Sequence, residues 1–278
     1  MNWRVRRMGL STLFGWRKRG WFIPYRYAGT LPAAGARPPY PAIASLLEGR
    51  EPAFLDLLAA IDGHRAALLE IGAAPPPAPR WRQSWFPLLD AAAAYTRCRR
   101  HRPSRIVEVG SGHSTRFLAR AVQDGGIDCR VTAIDPAPRA RIDGLPIEIV
   151  RGTLTEAGEA PFAALRAGDV LFIDSSHILM PGSDVDFLLG RVLPVLPSGV
   201  LVHIHDIFLP DDYPAAWDWR GYNEQQGVIA LLQGGAYEVT FASHYVATRL
   251  GGELGRGVLK ELPLENEAFE ASLWLRKL

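Results

Sequence analysis

Residues 105–122 read RIVEVGSGHSTRFLARAV, and this stretch decides the fold. Ile106, Val107 and Val109 make a short apolar run without the in-out alternation of a half-exposed strand, as expected of a strand covered on both faces. Gly110 and Gly112 follow, and then Ser114 to Gln123 repeats its apolar residues at helical spacing. Glycine lets the chain turn tightly and leaves no side chain between the backbone and a ligand, and the first amides of the next helix add a polar edge. Strand, glycine loop and helix together predict a nucleotide-like ligand at the loop. Many parallel sheets turn this way and bind nothing there, so the loop alone is a weak signal.

A second element adds to it. VTAIDP, residues 131–136, ends a strand with Asp135, twenty-five residues beyond Gly110. A carboxylate at that distance reaches a ribose, and each charge-assisted bond to a hydroxyl is worth about 1.5–3 kcal/mol. The competing role, a cap for the turn that follows, is disfavoured by the intervening Pro136.

The sign of the charge then selects the ligand. A dinucleotide loop needs a third glycine where this sequence has Thr115, and Glu108 stands just before the loop. A carboxylate repels a pyrophosphate and attracts a sulfonium and an amino group. The same residues disfavour an NAD-dependent oxidoreductase. GSGHS lacks the GxSxG elbow of a serine hydrolase.

Working outward from this stretch, short apolar runs alternate with helical ones, the pattern of an α/β fold with a parallel sheet. Strands are predicted at 105–109, 130–134, 147–150, 170–173, 200–205, 237–242 and 272–276, and helices at 114–123, 183–195 and 223–232. Before them, alanine-rich Phe86 to Arg100 predicts a helix ending in cations, PPPAP at 75–79 interrupts the chain, and Pro41 to Ile71 predicts a helical pair. This divides the chain into an N-terminal extension, residues 1–84, and a catalytic domain, residues 85–278. The glycine-rich stretch Thr248 to Gly257 reads as mobile and is assigned no role.

ExGxG followed by an acid after the second strand resembles the class I S-adenosylmethionine-dependent methyltransferases. WFIPYRYA, EVGSGHSTRF, LFIDSSH, GVLVHIHDIFLPDDYP, YNEQ and FASHY together resemble a bacterial family of small-molecule methyltransferases over nearly the whole chain. The resemblance implies a Rossmann-like, seven-stranded, mostly parallel sheet in the order 3-2-1-4-5-7-6. It also implies S-adenosylmethionine as cofactor, with Glu108, Gly110 and Gly112 along the methionine part and Asp135 on the ribose. Ser111, Ser114 and Asp174 are assigned to the same cofactor pocket. Where the class often has an acid near the adenine, this sequence has IVRGTL, 149–154.

LFIDSSH places Asp174, Ser175, Ser176 and His177 at the end of strand four, and VHIHD places His203, His205 and Asp206 at the end of strand five. In a strand, His203 and His205 share a face and Asp206 takes the other, unless the strand has already ended. His203, deeper in the strand, reads as a hydrogen-bonded core residue. His205 and His177, near neutral in their titration, are the candidates for the base that takes a proton from an acceptor hydroxyl, with Asp206 beside them. Asp174 and Asp206 also resemble the metal-binding acids of sugar and catechol-type O-methyltransferases, which implies a divalent cation such as Mg; the His-Asp pair stands where acids are usual. Beyond strand five, residues 208–225 are rich in aromatics, proline and acids and read as a loop covering a substrate. Asn223 and Glu224 either touch that substrate or cap the helix they open.

The 278 residues are 48% apolar, enough for one substantial core. A net charge of only +2 gives no footprint for nucleic acid. Cys98 and Cys129 show no CxxC spacing, and no apolar run approaches the length of a membrane span, so the expected setting is cytoplasmic. The first thirty residues hold seven Arg or Lys, no Asp or Glu, and the aromatics Trp3, Phe14, Trp16, Trp21, Phe22, Tyr25 and Tyr27. The favoured expectation is an arm whose aromatics pack onto the domain while its cations stay in water; peripheral contact with a membrane surface or an acidic partner is the alternative. The function expected is O-methylation of a small molecule in a homo-oligomer. The alternatives are N-methylation of an amine, nicotinamide-dependent oxidoreduction, and a non-catalytic adenosyl-binding scaffold.

Overall fold

The computed structural model describes residues 3–263 and 268–278. Seven strands, β1 (Arg105–Val109), β2 (Arg130–Ile134), β3 (Glu148–Val150), β4 (Val170–Ile173), β5 (Leu201–Ile204), β6 (Tyr237–Ala242) and β7 (Leu273–Lys277), form one sheet in the order β3-β2-β1-β4-β5-β7-β6. The pairs from β3 through β5 are parallel, and β7 runs antiparallel to both β5 and β6. This is the sheet the resemblance implies.

Register fixes where chemistry can occur. Val109 pairs with Ile134 and with Ile173, and Ile173 pairs with Ile204. Four strands therefore end level, and the next residues, Gly110, Asp135, Asp174 and His205, emerge along one carboxyl edge. In open parallel sheets ligands bind at that edge.

The helices are α1 (Trp3–Leu13), α2 (Pro41–Glu48), α3 (Glu51–Asp62), α4 (Arg65–Glu70), α5 (Leu88–His101), α6 (His113–Asp124), α7 (Leu154–Ala157), α8 (Ala160–Ala163), α9 (Asp184–Phe187), α10 (Glu224–Gln233), α11 (Ser243–Arg249) and α12 (Gly251–Leu254). Helix α5 packs on α6 and α3, and α3 reaches β6. One apolar core runs from Ile43, Phe54 and Leu68 through Phe172 to Trp274. Each fully buried side chain of this size contributes about 1.5–3 kcal/mol.

Two expectations are corrected. The predicted helical pair at 41–71 is three helices, because Gly49 and Gly63 end α2 and α3. The helix predicted over 183–195 changes pitch twice: α9 gives way to a π-turn at Leu188–Val192 and a 3-10 turn at Leu193–Val195, where Pro194 removes a donor. The stretch 248–257 is largely helical. It closes α11, forms α12, and is fastened where Asp62 Oδ1 accepts a hydrogen bond from the Val258 amide at 2.8 Å. Among the described residues no helix is long and apolar enough to cross a membrane.

Candidate active site

Gly110 is held at φ +82, and a Cβ there would lie 2.0 Å from the Asp174 carbonyl oxygen. Only glycine allows β1 and β4 to end side by side at this point. Gly112 is less constrained, since a Cβ would meet Ala140 and Arg139 at 3.8 Å or more. Its amide donates to Thr115 Oγ1 at 2.8 Å, so threonine at the missing third-glycine position closes the loop by its hydroxyl.

A cavity of about 470 Å³ opens at the ends of β1, β2 and β4. Its walls include Gly110, Ser111, Asp135, Arg139, Asp174 and Ser175, with Thr153–Thr155 beyond β3. Asp135 faces it with both oxygens partly engaged: Oδ2 accepts from Ser111 Oγ at 2.8 Å and Oδ1 from the Ala137 amide at 2.7 Å. Each oxygen keeps a further acceptor site. The turn-capping role expected to fail because of Pro136 is thus present, two residues on, alongside the exposure to the cavity.

Glu108, Gly112 and Ser114 do not line this cavity. Glu108 is fully buried, accepts from Ser114 Oγ at 2.6 Å on Oε1, and has no partner on Oε2. Burial pushes its carboxyl up to about 8, against the hydrogen bonds of Ser114 and Thr115. A neutral acid behind the loop cannot set the sign of the pocket. The walls themselves carry the carboxylates of Asp135, Asp174 and Asp184 together with the guanidinium of Arg139.

A second, narrow cavity of about 30 Å³ shares Asp174 and Arg139 with the first. Ser84, Trp85, His205, Asp206, Trp217, Arg220 and Phe269 complete it. Strand β5 ends at Ile204, and Asp206 takes φ +56. The strand has thus already ended, and this turn leaves Asp206 Oδ1 3.5 Å from His205 Nδ1, on the same side. His205 Nε2 lies 3.2 Å from Asp90 Oδ2. Burial alone would strip a proton from His205, but Asp206 and the bonds to Asp174 and Asp90 outweigh it and hold the imidazole well above its usual value.

His177 touches neither cavity. Fully buried, with φ +61, it donates from Nδ1 to Glu224 Oε2 at 2.8 Å, and its Nε2 sits 3.3 Å from both Asp174 Oδ1 and Asp206 Oδ2. Desolvation is overcome by Asp206, Asp174 and Glu224, so it is held as a cation. Asn223 and Glu224 also miss both cavities. Their amides donate to the His177 carbonyl at 3.0 and 3.2 Å, and Asn223 Oδ1 accepts from the Leu179 amide at 2.7 Å. They fasten the strained loop after β4 to the start of α10.

Asp174 and Asp206, expected as metal ligands, face the two imidazoles. Among the described residues no three His, Cys, Asp or Glu side chains are arranged to hold a metal ion. His203 is a core residue, stacked on Phe172 at 3.7 Å and bonded through Nε2 to Ser272 Oγ at 2.7 Å.

Sequence reasoning missed the support beneath His205. Asp90, fully buried, accepts from the Ala271 and Ser272 amides at 3.0 Å and from Ser243 Oγ. Glu270 accepts from the Leu89 and Asp90 amides and is pushed up to about 8 by burial and by Asp90. An acid in an otherwise alanine-rich helix, DAAAAY at 90–95, was the available signal.

Residues 107–207 match a family model described as a methyltransferase domain. Comparison with curated proteins gives no match. The similar solved structures include the O-methyltransferase TomG of Streptomyces achromogenes, involved in tomaymycin synthesis and solved with S-adenosylmethionine: 16% identity, 80% of this chain and 88% of that one, TM-score 0.43. A methyltransferase of Podospora anserina, bound to the demethylated cofactor, is 14% identical over 93% of this chain and 99% of its own, TM-score 0.43. An O-methyltransferase of Bacillus cereus is 12% identical over 80% and 91%, TM-score 0.42. With the match spanning β1 through the end of β5, and the sheet in the order 3-2-1-4-5-7-6, the chain carries a methyltransferase domain of the class I, Rossmann-like type.

Proposed function

We propose that this enzyme transfers the methyl group of S-adenosylmethionine to a hydroxyl of a small, flat acceptor that bears an anionic group. The observation that carries the reading is that the two cavities share Asp174 and Arg139. A donor in the larger one and an acceptor over His205 would therefore meet at Asp174.

The lining supports the donor. Asp135 offers both carboxylate oxygens to a ribose, the loop at Gly110 and Ser111 leaves backbone beside the methionine part, and Thr153–Thr155 flank the adenine end. S-adenosylmethionine, when bound, supplies an electrophilic methyl on a positively charged sulfur. Asp174 stands where it favours that charge.

The acceptor side follows from its own walls. Trp85, Trp217 and Phe269 line it. Arg220 lies over Trp217 at 3.9 Å, and its buried Nε has no hydrogen-bond partner. Arg139 lies over Trp85 at 5.0 Å. Two guanidiniums, aromatic rings and a His-Asp pair along one cavity suit a planar acid with a hydroxyl. His205 accepts the hydroxyl proton from its neutral form. As Asp174 turns part of its charge toward the donor, His205 loses part of the field that keeps it protonated. His177 is a positioning residue that spaces Asp174 from Asp206. The walls mainly hold the two reactants in line, which is most of what methyl transfer requires.

Methyl-labelled S-adenosylmethionine offered with hydroxylated aromatic acids, matching neutral phenols and aromatic amines is the test. Transfer to the acids above the others supports the reading; transfer to amines alone overturns the hydroxyl assignment.

A further inference from the structure

The arm before residue 32 is not absorbed by the methyltransferase reading. No residue of α1 is buried. Trp3, Phe14, Trp16 and Phe22 are each more than 60% exposed, and Trp21, Tyr25 and Tyr27 are exposed as well, which overturns the expectation that the arm's aromatics pack onto the domain. The core begins at Tyr40 and Ile43. The bonds of Thr12 and Trp16 stay within the arm, the Met8 carbonyl accepting from Thr12 Oγ1, Thr12 Oγ1 from the Arg19 amide and the Ser11 carbonyl from the Trp16 amide.

Trp3, Arg7, Leu10 and Phe14 recur at intervals of three and four, so they share one side of α1. Trp16 continues that side by stacking on Phe14 at 5.2 Å. Cations lie beside the rings: Arg7 over Trp3 at 5.4 Å, Lys18 over Trp21 at 5.2 Å and Arg26 over Tyr27 at 5.6 Å. The arm's seven cations, with no Asp or Glu among its own residues, leave the rest of the chain with 24 cations against 29 acids, a net charge of −5. The modest total of +2 conceals two opposite regions.

We propose that residues 3–27 dock the enzyme on an anionic lipid surface, with Trp3, Leu10, Phe14 and Trp16 entering the headgroup boundary and the Arg and Lys heads meeting lipid phosphates. Aromatic residues with interleaved cations are what such an interface accommodates. A second copy of the chain suits the arm less. Arm against arm brings two sets of seven cations together, and away from the arm the large exposed apolar residues, such as Leu55, Val195 and Leu278, are scattered along the chain.

The arm is rooted at the loop over the acceptor cavity. Asp212 accepts from Arg37 Nε at 2.7 Å and from the Gly35 amide at 3.1 Å, and the Pro210 carbonyl accepts from the Tyr40 amide at 2.9 Å. Trp217 and Arg220 belong to that same loop. Docking would thus act on the segment that covers the acceptor.

Flotation of the full-length chain with phosphatidylcholine vesicles, with and without one part in three of phosphatidylserine, tests the proposal without reference to catalysis. The expected result is binding to the anionic vesicles at least about tenfold above the neutral ones, falling as salt rises. Trp3→Ala/Phe14→Ala/Trp16→Ala and Arg6→Glu/Arg7→Glu/Lys18→Glu should each lose that binding while melting at the wild-type temperature. Equal partition into both vesicles, no binding to either, binding that survives both variants, or a dimer in solution that the aromatic variant converts to monomer would each overturn it.

Discussion

Asp135 carries two duties that a substitution can separate. Asparagine keeps an oxygen for the Ala137 amide and removes the charge, so Asp135→Asn should weaken S-adenosylmethionine binding by about tenfold to a hundredfold with little change in melting temperature. Calorimetry against wild type checks both. At His205 the prediction concerns pH. A base works from its neutral form, and His205 is held well above the usual histidine value, so the rate should climb with pH on a limb above about 6.5. Asp206→Asn removes a charge that raises His205, and the limb should move to lower pH. His205→Ala should abolish turnover and leave donor affinity intact; a wild-type rate would remove His205 from the chemistry. Arg220→Met should raise the KM for an acidic acceptor by about tenfold or more and leave that for a neutral one nearly unchanged.

At the scale of elements, the strand-to-helix turn at Gly110 is the least replaceable joint. Alanine there would need a left-handed φ and would collide with the Asp174 carbonyl, so Gly110→Ala should lower unfolding stability by at least about 2 kcal/mol in denaturant titration. Parallel strands were legible because burial on both faces leaves continuous apolar runs: β1, β2, β4 and β6 begin and end where the pattern says. What the pattern could not carry was the geometry just past a strand. The positive φ of His177 and Asp206 turns side chains against the two-residue alternation, so Asp206 joins His205 and His177 leaves the surface. Asp90 and Glu270 were equally hidden, because their partners lie about 180 residues away in sequence. Of the glycines in the 248–257 stretch, Gly257 serves packing, since a Cβ there would meet Asp62 Oδ1 at 2.6 Å.

For the whole molecule, the buried titrating groups give stability a direction in pH. Glu108 and Glu270 hold protons to about 8 in the folded chain and release them near 4.5 when unfolded, so their contribution is full below about 4.5 and lost as pH rises toward 8. His177 and His205, raised above 6.5, contribute fully below that value and lose the contribution as pH climbs through their folded values. Asp174, lowered, has the opposite sense and matters only at acid pH. The melting temperature should therefore fall from pH 6 to pH 9, and Glu108→Gln should reduce that fall; a melting temperature that rises over this range would contradict the charge states described. The same pattern relocates the electrostatic basis for the donor. With Glu108 neutral and behind the loop, a positively charged sulfur is favoured by the wall carboxylates Asp135 and Asp174. The most direct measurement is a paired titration of the purified chain with S-adenosylmethionine and with NADH. Saturable heat with the sulfonium compound alone, weakened by Asp135→Asn, is the result predicted; saturable heat with NADH, or none with S-adenosylmethionine, would contradict it.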